Sequence, residues 1–329
     1  MKKIPQDIVG DIAILKFPRR TLWIIKKLKA RKFLKQHKNV KTIVEKTSKI
    51  SGRLRTTATK HLAGIKNKVA TYKENDCLFK FNIDKSYFSP RLSNERKVIS
   101  EQVEKLVPKL GSSKIKNSRI IDAKHQQIGW AGKNFENKIL GQKGISKILV
   151  MFAGIAPYPI TIAKRLKERK KSAIIISNEL NKKANTEAER NIRLNKLQDY
   201  IKVVGGDAKK LPEKLSKVKW IGGLLGKRAR DQRASARNSK SAHEAPNDEK
   251  QKFDIILMPR PNLKDTFLKT ALKLSKKGTT IFYHGFGIKE EVLKEIKRDT
   301  KNKIGKISIR KAGDIGPKKF RWQAVFKVK

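Results

Sequence analysis

Apolar and polar positions change their period along the chain. Between residues 16 and 38, Leu22, Ile25, Leu28 and Phe33 fall at near-helical spacing and predict an amphipathic helix. Between residues 39 and 84 the pattern shortens to β-branched runs punctuated by Gly52, Gly64 and the turn-forming Glu74-Asn75-Asp76. Within it Phe79, Phe81 and Ile83 alternate with Lys80 and Asn82, as a half-buried strand requires. From Ile145 onward apolar strands alternate with helical stretches, the pattern of a parallel sheet covered by helices. It predicts strands over 147–152, 172–177, 201–204, 253–258 and 279–283, with helices over 160–171, 182–195 and 263–276. Residues 318–329 alternate apolar and basic positions and are expected to close the sheet as an edge strand.

This organisation gives an α/β chain in which a small basic α+β domain, 1–105, precedes a Rossmann-like domain, 145–329. Residues 106–144, rich in Gly, Ser, Lys and Asn with little periodicity, read as a linker or insertion. Residues 217–252 interrupt the second domain and read as a flexible surface loop.

Charge narrows the partners. The 329 residues include 81 Lys and Arg against 29 Asp and Glu, a formal net charge of +52 spread along the chain. A polyanion is the leading partner, because Lys and Arg that neutralise phosphates release condensed counterions. The segment 16–38 alone carries ten basic residues and no acidic one. Its helix is either docked by its apolar stripe with a solvated basic face, or in direct contact with RNA. The single cysteine, Cys77, excludes an intramolecular disulfide and a Cys-cluster zinc site, and no metal is expected. Apolar runs such as Ile174-Ile175-Ile176 fall far short of the roughly 20 residues that span a bilayer, and no secretory signal is evident, so a soluble, cytoplasmic protein is expected.

Candidate chemistry lies at successive strand ends. Ile148-Leu149-Val150-Met151-Phe152-Ala153-Gly154-Ile155-Ala156-Pro157 is a strand running into a tight turn before a helix, where doubly wound sheets bind nucleotide-like ligands. Gly154 would let the backbone approach a ligand closely. The next strand ends at Ser177-Asn178-Glu179-Leu180-Asn181, where Glu179 could accept hydrogen bonds from both ribose hydroxyls. The third ends at Gly205-Gly206-Asp207, with a short carboxylate placed to read an adenine amino group. Each element alone could be a helix cap or a turn, but their order at consecutive strand ends favours a cofactor site. No GxGxxG pattern is present, which argues against a nicotinamide cofactor.

Two further motifs are more specific. Tyr87-Phe88-Ser89-Pro90-Arg91-Leu92-Ser93-Asn94-Glu95-Arg96, followed by Met151-Phe152-Ala153-Gly154-Ile155-Ala156-Pro157-Tyr158, resembles the archaeal and eukaryotic tRNA (guanine-37, N1)-methyltransferase family, commonly called Trm5. Ile8-Val9-Gly10-Asp11-Ile12-Ala13-Ile14, Ser51-Gly52-Arg53-Leu54-Arg55 and Leu62-Ala63-Gly64 extend the resemblance over most of the chain. It implies a class I methyltransferase that binds S-adenosylmethionine and modifies tRNA, without the additional N-terminal domain that docks the tRNA elbow in many members. A monomer is expected.

The resemblance places a general base at Glu95 and an arginine that stabilises charge on guanine O6 at Arg55. Guanine N1 carries a proton at neutral pH, so it attacks a sulfonium methyl poorly until a carboxylate removes that proton. The negative charge then moves to O6, where a guanidinium supplies charge-assisted hydrogen bonds. The resemblance also implies cofactor contacts from Phe152, Ala153, Gly154, Ile155, Pro157, Glu179, Asn181, Asp207 and Pro261. Tyr87, Arg91, Arg96 and Arg260 are candidate RNA contacts; Tyr87 could instead be core packing, and Arg96 could pair with its own neighbours. The chain departs from the family pattern at Val150, usually Asp, at Ala156, usually Gly, and at Pro259, usually Asn. The competing expectations are a wybutosine-pathway aminocarboxypropyl transferase or dual-specificity methyltransferase on the same nucleotide, and a basic RNA-binding relative of weak or no activity.

Overall fold

The computed structural model describes residues 6–48, 52–109, 145–217, 252–316 and 319–329. The expected insertions at 106–144 and 217–252 lie almost wholly outside the described residues. The chain divides into two compact units, one formed by Met1–Gln102, Phe152–Arg165 and Ser177–Gly206, the other by Val103–Met151, Leu166–Ile176 and Asp207–Lys329.

The chain opens with a four-stranded sheet in the order β1-β2-β3-β4, formed by β1 (Gln6–Val9), β2 (Ile12–Leu15), β3 (Thr42–Lys46) and β4 (Thr59–Gly64). β2 and β3 run parallel, joined by helix α1 (Trp23–Gln36). The helix is shorter than the basic segment, because Pro18 cannot continue a helix backwards and instead closes a turn with Thr21. Its expected stripe is also corrected. Phe33 and Ala30 are buried against Ala13, Leu15, Ile43 and Leu62, whereas Leu22, Ile25 and Leu28 are exposed. Small Ala30 beside Phe33 lets the helix sit close to the sheet there, and Trp23 and Leu34 pack partly against the same core.

A hairpin follows, β5 (Val69–Glu74) with β6 (Cys77–Asn82). Its inner face is the alternation read from the sequence: Phe79, Phe81 and Ile83 are all buried. The outer edge of β5 meets the β1–β2 turn, where the Asp11 carboxylate accepts the Thr71 N–H at 3.0 Å. Gly10 is required there, because its φ is +58° and a Cβ would fall 1.9 Å from the Thr71 carbonyl oxygen. Helix α2 (Ser93–Leu106) follows a single 3-10 turn at Pro90–Leu92.

A seven-stranded sheet has the order β12-β13-β11-β10-β7-β8-β9. Its strands are β7 (Ser146–Met151), β8 (Ala173–Glu179), β9 (Ile201–Gly205), β10 (Phe253–Met258), β11 (Ser275–Gly287), β12 (Ser308–Gly316) and β13 (Lys319–Lys327). β10 lies parallel to both β7 and β11, as expected, and strand order reverses on either side of β7 and β10. The sheet is mixed rather than wholly parallel, because β13 pairs antiparallel with β11 over eight residues. β13 is therefore an inner strand and β12 is the edge, a correction to the expected edge strand at the C-terminus. Alternation in 318–329 reports two faces of a strand but not its neighbours.

Helices α3 (Pro157–Glu168) and α4 (Lys182–Leu194) follow β7 and β8. Asn181 caps α4, its side-chain oxygen accepting the Lys183 N–H at 3.0 Å and the Ala184 N–H at 3.4 Å. Helix α5 (Leu211–Lys217) follows β9. Between β10 and β11 the expected helix shrinks to α6 (Leu268–Lys273), because Phe267 adopts a left-handed conformation and β11 starts already at Ser275. Helix α7 (Lys289–Thr300) lies between β11 and β12.

Candidate active site

The turn after β7 has an unusual backbone. Phe152, Gly154 and Ala156 all have positive φ, at 58°, 58° and 66°. For Gly154 this conformation is free of strain, and a Cβ there would meet only the Tyr87 carbonyl oxygen at 3.6 Å. Ala156 stands where the family pattern has glycine, and it accepts the left-handed conformation while fully buried. Ala153, Ile155 and Ala156 are buried and Pro157 starts α3, so the turn is rigid on one side and open at Phe152 and Gly154. Val150 is fully buried and in register with Leu257 of β10, an apolar environment that suits valine.

Glu179 ends β8 facing this turn. One carboxylate oxygen accepts the Gly154 N–H at 2.9 Å and the other accepts the Asn181 N–H at 2.8 Å. Asn178 donates to the Val204 and Gly206 carbonyls at 2.9 and 3.1 Å, and Gly206 N–H bonds the Glu179 carbonyl at 2.8 Å. The three strand ends named from sequence are thus tied into one half-exposed rim. Asn178, absent from the sequence candidates, makes that tie. Asp207, in the other unit, accepts the Lys209 N–H at 2.9 Å as a local cap.

The motif Tyr87–Arg96 is built on the same unit. The Phe88 ring packs against Tyr72, Phe79 and Phe81 with centroids 5.2, 5.9 and 4.9 Å away. Arg55, itself at positive φ, lays its guanidinium 4.5 Å over the Tyr87 ring. Its Nε is buried and has no hydrogen-bond partner among the described residues. Asn181 donates to the Lys85 carbonyl at 2.8 Å, which brings the end of the hairpin to the cap of α4. Glu179 therefore joins Gly154 to Asn181, and Asn181 joins them to the end of the hairpin that leads to Tyr87 and its Arg55 partner. Glu95 is buried in the first turn of α2, where the helix dipole favours a carboxylate.

Two candidate RNA contacts are corrected. Arg96 is buried and pairs with both oxygens of Glu74, also donating to the Ser89 carbonyl at 3.0 Å and lying 4.9 Å over the Phe88 ring. Its guanidinium is consumed in holding the Ser89-Pro90-Arg91 turn and cannot reach a phosphate. Glu74 was legible in the sequence only as part of a turn. Arg260, in the loop after β10, is buried as well: it donates to the Leu263 carbonyl at 2.9 Å and to Glu295 of α7 at 2.7 Å, and stacks 5.0 Å over Tyr283. Burial above all, aided by the Glu295 charge, pushes the Tyr283 phenol up, so it stays a neutral donor to that carboxylate. Arg260 anchors its loop, leaving Pro261 half-exposed beside it.

Arg91 behaves differently. It is exposed and pairs with Asp7 at 2.5 Å. Burial raises the Asp7 carboxyl, but the hydrogen bond and charge of Arg91, with Lys16, outweigh it and hold the group below the usual carboxylate range. An exposed pair of this kind is worth about 0–1 kcal/mol, little enough for a phosphate to displace it.

Among the described residues no helix is long and apolar enough to cross a membrane, and no cluster of three metal-ligating side chains occurs. The TRM5/TYW2 methyltransferase domain family matches residues 133–230, and the TYW2 N-terminal domain family matches residues 4–67. The Nanoarchaeum equitans tRNA (guanine(37)-N(1))/4-demethylwyosine(37)-methyltransferase Taw22 is 32% identical over 338 residues, covering 96% of each chain. The Pyrococcus abyssi tRNA (guanine(37)-N(1))-methyltransferase Trm5b is 25% identical over 281 residues, which cover 85% of this chain and 59% of that longer protein. The solved complex of aTrm5 and tRNALeu shares the fold, with a TM-score of 0.66 at 20% identity over 99% of this chain and 72% of that one. Near-complete coverage at this identity, on a fold whose strand ends carry the motif residues, identifies the chain as a member of the TRM5/TYW2 methyltransferase family.

Proposed function

We propose that the chain is an S-adenosylmethionine-dependent tRNA methyltransferase that forms N1-methylguanosine at position 37. The observation that carries this reading is Arg55: a guanidinium stacked on Tyr87, with a buried donor left without a partner among the described residues, beside the main chain that faces the Gly154 turn. A buried unpaired donor is costly unless a ligand completes it, and the O6 of a flipped guanine is an acceptor of the right kind.

The residues present fit the cofactor. Glu179 offers carboxylate oxygens to ribose hydroxyls, Gly154 admits close approach, and Phe152, Ala153, Ile155 and Pro157 wall the turn. Asp207 and Pro261 are assigned to the same cofactor, and Asn181 supports it by fixing Glu179. S-adenosylmethionine, when bound, supplies an electrophilic methyl on a sulfonium. The chain's own residues prepare the base: Glu95 takes the N1 proton, and Arg55 donates to O6 as negative charge gathers there. Tyr87 holds the base in place, and Arg91 exchanges Asp7 for a phosphate. Residues 1–105 are assigned to RNA recognition and carry Glu95 and Arg55; residues 145–329 are assigned to the catalytic domain that binds S-adenosylmethionine.

A second reading is dual specificity for guanine and a wybutosine intermediate, favoured by the match of 4–67 to the TYW2 N-terminal domain and by the name of the Nanoarchaeum relative. Incubating a guanosine-37 transcript with labelled S-adenosylmethionine, then digesting it and identifying nucleoside 37 by mass spectrometry, tests the proposal. N1-methylguanosine is expected. An aminocarboxypropyl adduct, or an unmodified nucleoside, would overturn it; methylation of 4-demethylwyosine alongside guanosine would establish the dual reading.

A further inference from the structure

Helix α4 meets the hairpin through side chains that take the place of a strand. Among the described residues β6 belongs to a two-stranded sheet, so its outer N–H groups have no strand there to pair with. Asn82 N–H bonds Glu187 Oε1 at 2.7 Å, Lys80 N–H bonds Asn191 Oδ1 at 2.8 Å, and Leu78 N–H bonds Asn195 Oδ1 at 2.9 Å. Asn195 Nδ2 returns a bond to the Leu78 carbonyl at 2.8 Å. The three acceptors are spaced four residues apart on α4 and its C-cap, and advance about 6 Å per step along a helix. Alternate N–H groups advance about 6.7 Å along a strand, so the two rows stay in step over three bonds.

The same helix also holds the cofactor turn. Asn191 Nδ2 donates to the Ile155 carbonyl at 3.4 Å, and Asn181 at the other end of α4 donates to Lys85. Asn191 is fully buried, at 0% exposure, where a helix held only by packing would favour an apolar residue. Its amide spends one end on the hairpin and the other on the turn.

We propose that Glu187, Asn191 and Asn195 are positioning residues, which fix the register of the hairpin against the Gly154–Ile155 turn and so set where Tyr87 and Arg55 stand over the base. For its kinetic consequence this rests on the methyltransferase reading; for its structural consequence it does not. Two pairs of variants separate positioning from simple stability. Glu187→Gln keeps its acceptor, and Asn195→Asp keeps the acceptor for the Leu78 N–H while losing the donor to the Leu78 carbonyl, whereas Glu187→Ala and Asn195→Ala remove the acceptor.

In the full chain, amide hydrogen exchange and single-turnover methyl transfer at saturating substrates are measured for all four. The alanine variants are expected to exchange the Asn82 and Leu78 amides, and those of Tyr87 and Phe88, about fivefold to tenfold faster, as loss of one net hydrogen bond implies. Their methyl-transfer step should slow by about the same factor while KM for cofactor and tRNA holds, and Glu187→Gln should restore both, Asn195→Asp only in part. Unchanged exchange, or faster exchange with an unchanged transfer rate, would overturn the proposal. If the wild type transfers no methyl group, the proposed function fails by itself, and exchange at Tyr87 and Phe88 then decides the positioning claim.

Discussion

Ala156 shows what a single departure from a family pattern does to the backbone. Left-handed backbone costs a non-glycine residue about 1–2 kcal/mol, yet glycine here would lose the burial of a methyl, worth about 0.8 kcal/mol, and gain unfolded-state freedom worth about 0.4–1 kcal/mol. These terms nearly cancel. Ala156→Gly is therefore expected to leave the urea midpoint almost unchanged, whereas Ala188→Gly, at a buried position inside α4, has no strain to relieve and should cost about 1.5 kcal/mol. Equal losses at the two sites would show that the Ala156 conformation carries no strain. Burial decides the arginines in the same way. Arg91 is free to exchange partners because its pair is exposed, while Arg96 and Arg260 are spent on Glu74 and Glu295. Neither of those partners could be read from the sequence, because each pair joins residues more than twenty positions apart with no motif between them.

At the scale of elements, α1 and α4 do opposite work. Helix α1 buries Ala30 and Phe33, packs Trp23 and Leu34 partly beside them, and presents Lys29, Lys32 and Lys35 to solvent. If this face binds tRNA phosphates, reversing the three lysines to glutamate should weaken binding and flatten the slope of log affinity against log salt by about 0.9 for each phosphate no longer neutralised. An unchanged slope would mean that α1 is only a solvated helix. Helix α4 buries Glu187 and Asn191 beside Ala184, Ala188 and Ile192. Burial raises the Glu187 carboxyl above its ordinary 4.5, against the opposing pull of the Asn82 N–H, the Ser86 hydroxyl, and the charges of Arg190 and Lys85. The folded chain thus holds this proton more tightly than the unfolded one, a cost to stability absent below pH 4.5 that grows as pH rises through the window above it. Glu187→Gln, which can still accept the Asn82 N–H, should gain stability relative to wild type between about pH 4 and about pH 7, read from urea midpoints. A constant difference across that range would contradict this. The strands were legible from alternation, as in Phe79, Phe81 and Ile83, because a half-buried strand writes its faces into its sequence. The place of β13 between β11 and β12 was not, since pairing partners leave no such mark.

Across the molecule, the formal charge of +52 draws a polyanion without selecting a base. On the proposed function, selection belongs to the neighbourhood of Tyr87, where the β3–β4 connection, the first turn of α2 and the turn after β7 supply Arg55, Glu95 and Gly154 from one compact unit. The family motifs were legible because they are local in sequence. The Nε of Arg55, unpaired among the described residues, and the side chains of α4 bonded to β6 were not, since both depend on residues brought together by folding. The central claim is that Glu95 and Arg55 act on the same guanine. Single-turnover methyl transfer to a guanosine-37 transcript by Glu95→Gln, Arg55→Ala and the double variant, with cofactor affinity measured in parallel, tests it most directly. Each single change should slow the chemical step by roughly 10²-fold or more, the double by less than the product of the two, and cofactor affinity should hold. Wild-type rates from both single variants would contradict it.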